Sequence, residues 1–129
     1  MNEPSTKADE LAKAVVDACI EVHRTLGPGY LESVYEEALA TEMTLRNIPF
    51  EKQKTIDVNY KGSPIGQARL DFLVDGLLVV ELKAVETLAP IHTAQVISYL
   101  KAGSFQLGLL INFNTSLLKH GIKRIALTR

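Results

Sequence analysis

The stretch from Arg69 to Glu86, RLDFLVDGLLVVELKAVE, constrains the fold of this chain more than any other. Two runs of strand length, rich in Leu and Val, flank Asp75-Gly76, a pair that favours a tight hairpin turn. Three charges, Asp71, Glu81 and Lys83, interrupt them. Burying a carboxylate or an ammonium is costly unless it is paired or binds a metal, so a purely structural hairpin would be poorly served by these residues. Glu81 and Lys83 are two apart and share a face. Whether Asp71 joins them depends on the turn. A two-residue loop at Asp75-Gly76 pairs Asp71 with Val80 and puts it on the face opposite Glu81. A three-residue loop, Val74-Asp75-Gly76 with Gly76 left-handed, pairs Asp71 with Val79 and places Glu81 on the neighbouring diagonal. All three charges then point one way, while Leu70, Phe72, Val74, Leu78, Val80 and Leu82 gather on the other face. The hydrophobic pattern therefore selects the odd-length loop or an equivalent bulge.

Two carboxylates one diagonal apart suit Mg2+ or Mn2+, hard cations that take oxygen ligands and keep waters for a phosphate to replace. The backbone carbonyl of Leu82 is a candidate third ligand. Lys83 would orient or activate the attacking water and offset charge developing on phosphate oxygens, while the metal lowers the pKa of that water. Phosphodiester hydrolysis is the reaction this combination implies. The competing reading is an ion-pair cluster across a hairpin, which also perturbs pKa values.

On either side of the hairpin the periodicity is helical. Leu11, Val15, Ala18, Cys19, Val22 and Leu26 form one stripe, ended by Gly27-Pro28-Gly29. A second helix is expected from about Leu31 to Arg46, with Leu31, Val34, Tyr35, Ala38, Leu39 and Leu45 inward and Asn47 as its stop. Strands follow at Ile56 to Tyr60, Ile65 to Val74 and Leu77 to Lys83, with a turn at Lys61-Gly62. A third helix, Ile91 to Ala102 with Gly103 as stop, leads to a strand at Leu107 to Ile111 and an edge strand at Ile122 to Leu127. The order ααβββαββ predicts an α/β fold, a mixed sheet flanked by helices, with the last helix crossing over to a parallel strand.

With 129 residues the chain fits a single domain, expected over 9–129 behind a polar arm at 1–8. All 15 acidic residues fall at or before Glu86, beside nine basic ones; the five basic residues beyond it face none. That basic C-terminal third offers a local contact for phosphate, although the overall net charge of -1 does not favour strong non-specific binding. No run approaches a membrane span and no apolar leader opens the chain, so a cytoplasmic protein is expected. The lone Cys19 reads as a core residue.

GYLESVY at 29 to 35 resembles the signature of the GxxExxY protein family, with Gly29, Glu32 and Tyr35 in place. The resemblance continues through YKG, RLDFLVDG, VVELKAVE, the helix with Gln95, and LGLLINF. That family is similar to the PD-(D/E)XK nuclease superfamily, whose restriction-endonuclease-like core has the element order read above; Asp71, Glu81 and Lys83 fit its metal motif. Gln95-Val96-Ile97-Ser98-Tyr99 also resembles the QxxxY helix of its helicase-associated branch. The resemblance implies that Glu32 reaches the metal or its water, joining Asp71, Glu81 and Leu82, and that Gln95, Tyr99 and Tyr35 contact substrate. Gln95 and Tyr99, four apart, share a helical face. His92 is close enough in sequence to reach the same site but equally placed to cap its helix. The implied function is an Mg2+-dependent nuclease acting on DNA or RNA, with a homodimer or larger complex plausible for so small a domain. The alternatives are a non-catalytic nucleic-acid-binding or protein-interaction module that keeps the fold, and a small-molecule phosphodiesterase.

Overall fold

The computed structural model describes residues 4–127. Helix α1 (Thr6–Leu26) starts where the Ser5 side chain accepts a hydrogen bond from the Ala8 amide at 3.1 Å, inside the stretch expected to be a polar arm. Its stripe of Ala8, Ala12, Val15, Ala18, Cys19 and Val22 is buried, and Gly27, with φ 73°, ends it. Cys19 is a core residue, as expected, and burial pushes its thiol far up. Helix α2 (Glu32–Leu45) buries a narrower face than the sequence suggested: Tyr35, Leu39 and Met43, at successive spacings of four. Leu31 is 77% and Leu45 72% exposed, because Leu31 is the cap and Leu45 lies about 200° round the helix from Met43.

Strands β1 (Phe50–Tyr60), β2 (Ser63–Val74), β3 (Leu78–Lys83), β4 (Leu107–Asn112) and β5 (Ile122–Ala126) form one sheet in chain order. Only the β3 to β4 pairing is parallel, and helix α3 (Pro90–Gly103) connects them, as the element order predicted. A short 3-10 turn at Leu118–Gly121 precedes β5. Helices α1 and α2 cover one face of the sheet, meeting Phe72, Val74, Leu78, Val80, Leu82, Leu107, Leu109 and Ile111. Helix α3 covers the other, where Val96 and Leu100 meet Leu73, Val79, Leu110 and Ile125. Strands β3 and β4 are thus buried on both faces, which explains their nearly continuous apolar character.

Gly108 sets how closely α3 lies on the sheet, since a Cβ there would stand 2.9 Å from Val96 Cγ1. Gly103, expected as the helix stop, instead remains helical, with the Phe105 ring where its Cβ would be. The left-handed residue that ends α3 is Ser104, φ 58°. No helix among the described residues is long and apolar enough to cross a membrane.

Candidate metal centre at a fork in the sheet

The turn between β2 and β3 has three residues, as parity required, but they are Asp75-Gly76-Leu77. Asp75 and Gly76 both take positive φ, 50° and 69°, and the Leu77 amide donates to the Val74 carbonyl at 3.0 Å. A tight turn on these two residues leaves Leu77 as the extra one, so Val74 pairs with Leu78, two positions on from the expected register. Parity survives the shift. Asp71 consequently comes opposite Glu81 itself, not on its diagonal.

Backbone pairing between β2 and β3 stops at Phe72 and Val80, and the carboxylates take over from there. The Asp71 amide donates to Glu81 Oε2 at 2.7 Å, and the Leu82 amide donates to Asp71 Oδ2 at 2.8 Å. Each side chain thus replaces a missing rung of the ladder with one oxygen and has a second oxygen to offer. The strand switches faces at this fork. Leu70 packs with the α3 cluster, not with Phe72 and Val74 as alternation predicted, and Gln53 on β1, across from Asp71, has φ 55°.

Glu81 is only 4% exposed. Burial, with the Asp71 charge added to it, pushes its carboxyl up to about 8. Burial likewise raises Asp71, and burial followed by the Asp71 charge raises Glu32 at the start of α2. Lys83 acts in the opposite sense on all three. Yet among the described residues no ion pair includes Lys83, Asp71, Glu81 or Glu32. An ion-pair cluster across the hairpin is therefore not what these residues build. The carboxylate pair, Glu81 buried and Asp71 half-buried, is hydrogen-bonded and without a contacting cation, a donor set of hard oxygens that suits a divalent ion. Among the described residues no three His, Cys, Asp or Glu side chains converge closely enough to hold a metal together, so Glu32 stands back from the pair.

Tyr99 on α3 lies on the other flank: burial raises its hydroxyl pKa, and the charges of Glu81 and Asp71 raise it further. Gln95, one turn earlier, is exposed. Tyr35 does not join the site. It is 0% exposed, its hydroxyl donates to Gly27 O at 2.6 Å and accepts from the Tyr30 amide at 3.1 Å, and its ring stacks on Phe113 at 4.6 Å. A side chain so enclosed braces the Gly27-Pro28-Gly29 turn and has no free atom for substrate. His92 Nδ1 accepts from the Ala89 amide at 3.0 Å and caps α3.

Three residues at the site were not singled out from the sequence. Glu36 is one turn beyond Glu32, a spacing of four that was available as a signal. Gln53 donates through Nε2 to both Glu36 oxygens at 2.9 Å and also reaches Asp71, lowering its pKa. Nothing in an alternating strand marks such a glutamine. Asn112, 2% exposed, holds the segment after Lys83: its Oδ1 accepts from the Val85 amide at 3.0 Å and its Nδ2 donates to the Val85 carbonyl at 2.8 Å.

A family model described as the PD-(D/E)XK nuclease superfamily matches residues 9–125. No curated protein and no solved structure matches the chain.

Proposed function

The chain belongs to the PD-(D/E)XK nuclease superfamily, and on that footing we propose that it hydrolyses phosphodiester bonds in nucleic acid with a divalent cation, Mg2+ or Mn2+, held by Asp71 and Glu81. The observation that carries this reading is the facing carboxylate pair, Glu81 buried and Asp71 half-buried, with no cationic side chain in contact among the described residues. A hard divalent ion bound there would neutralise the pair, draw charge from a phosphate oxygen and make a water more acidic.

The chain's own groups have separate tasks. The Leu82 carbonyl, on the residue whose amide holds Asp71, is the backbone oxygen offered as a further ligand. Lys83, on the face of Glu81, places an ammonium where negative charge builds on the phosphate. Glu32, standing back from the pair but near enough to feel the Asp71 and Lys83 charges, would hold or exchange a proton with an attacking water. Tyr99 and Gln95 line the α3 side and position the substrate.

The test is calorimetry of Mg2+ and Mn2+ binding to the wild type and to Glu81→Gln, with circular dichroism of both and a cleavage assay on DNA and RNA. Binding by the wild type and its loss in a folded Glu81→Gln protein are expected, with Asp71→Ala abolishing cleavage. A folded wild type that takes up neither ion would overturn the proposal and leave the non-catalytic module.

A further inference from the structure

Past Leu70, strand β2 is paired with β1 alone, whose Ile56 still packs on the α3 cluster, and beyond Ala68 the two continue as an exposed arm to the turn at Lys61-Gly62. Because β2 runs antiparallel to β3, the arm projects beyond Lys83, at the end of the sheet where the carboxylates open. Residues 59–67 are all exposed. Ser63 is eight residues from Asp71, so the arm reaches roughly 25 Å past the site at about 3.4 Å per residue.

Two basic side chains, Lys61 on the arm and Arg69 at its base, are exposed. At the apex Lys61 takes φ 50° beside Gly62 at 83°, a turn that asparagine or glycine would fill with less strain. The turn thus holds a lysine at the outermost point of the arm. Its ammonium lies 5.3 Å from the centre of the Tyr60 ring, itself 60% exposed. On the flank, Arg69 faces away from α3, since its neighbours Ile56 and Leu70 turn toward that helix. Lys52 and Lys54 are engaged by Glu37 and Glu51, but Lys61 and Arg69 enter no ion pair among the described residues. Glu32 and Glu36 on α2 add acidic charge beside the carboxylate pair, so cations on the arm would supply attraction for a polyanion that the site's own side chains do not.

We propose that the β1 to β2 arm is a DNA-contacting element that lies along the major groove of a duplex, with Lys61 and Arg69 on phosphates and Tyr60 against the groove wall. The major groove of B-DNA, about 12 Å wide, admits a two-stranded ribbon. The deep, narrow groove of an RNA duplex does not, which selects DNA. This inference rests on the nuclease reading, and the two fail separately. Cation uptake without nucleic acid decides that reading, whereas the arm is read from DNA affinity in a chain whose Glu81 charge is already removed.

The experiment uses the full chain with Glu81→Gln, in Mg2+, and a labelled duplex of about 30 base pairs, long enough to pass the whole arm. Anisotropy titrations at several salt concentrations compare it with the same chain carrying Lys61→Asn and Arg69→Gln. Asparagine suits the left-handed apex, so the arm keeps its fold, checked by circular dichroism. Expected are a several-fold loss of affinity and a fall of about 2 in the slope of log affinity against log salt, close to 0.9 per phosphate contact. Unchanged affinity and slope would overturn the proposal, as would no duplex binding by the parent chain or an RNA duplex bound as tightly as DNA.

Discussion

Burial makes the charged form of Glu81 costly despite the Asp71 amide and Lys83, and pH exposes that cost. Its carboxyl is raised by burial and by Asp71 from 4.5 to about 8, so across that interval the folded state holds a proton that the unfolded state has already lost. Stability of the metal-free protein therefore falls as pH rises from about 5 toward 8, and levels off above. Thermal melts in a chelator should show this decline in the wild type and a flatter profile in Glu81→Gln, whose amide oxygen still accepts from the Asp71 amide. In a domain of this size each 1 kcal/mol recovered raises Tm by roughly 4 °C. Cation binding needs the ionised form, so affinity should strengthen with pH up to about 8 by calorimetry and then plateau. Tyr35 belongs to a different class. Tyr35→Phe leaves the Gly27 carbonyl and Tyr30 amide without their partner. It should cost about 1 to 3 kcal/mol in urea unfolding, with Mg2+ affinity unchanged.

Between residue and element, what the sequence makes legible is parity. Alternation of apolar and charged positions from Leu70 to Lys83 fixes which face each side chain takes, because a one-residue slip would bury the charges and expose the leucines. Two slips restore that pattern, so alternation cannot tell Val79 from Glu81 as the partner of Asp71; the turn decides, through left-handed Asp75 and Gly76. The face switch that sends Leu70 to the α3 side depends on the fork and on Gln53, whose backbone is left-handed for no reason visible in LysGlnLys. Tyr35 and Tyr99 look alike as aromatic positions on helices, and only the packing separates the brace from the tyrosine near Glu81 and Asp71. Gln53 offers a test at this scale. Glycine keeps its backbone and removes the amide, whereas valine opposes the backbone as well. Both variants should bind Mg2+ more weakly by calorimetry, since Asp71 and Glu36 lose a shared donor, but only Gln53→Val should lose substantial thermal stability.

At the level of the whole molecule, the proposed site would draw on all three layers: Glu32 and Glu36 lie on α2, Asp71, Glu81 and Lys83 on the sheet, and Tyr99 on α3. The distance between the sheet and α3 is set at Gly108, where any side chain would press on Val96. Because the unfolded chain has no assembled pair, a cation that binds it is linked to folding of the whole domain. At a concentration a hundred times its dissociation constant such an ion adds about 2.7 kcal/mol to stability, or roughly 10 °C in Tm for a domain of this size. Scanning calorimetry should therefore show Mg2+ raising the Tm of the wild type at pH 8 while leaving Glu81→Gln nearly unmoved. Gly108→Val sharpens the expectation: it should lower the metal-free Tm by overpacking, at a cost of about 1 to 3 kcal/mol, yet still respond to Mg2+, because Asp71 and Glu81 are joined through the sheet and not through α3. If Gly108→Val lost the Mg2+ response while remaining folded, the ion would be held across the sheet and α3 together, and the two-carboxylate fork would not suffice as its site.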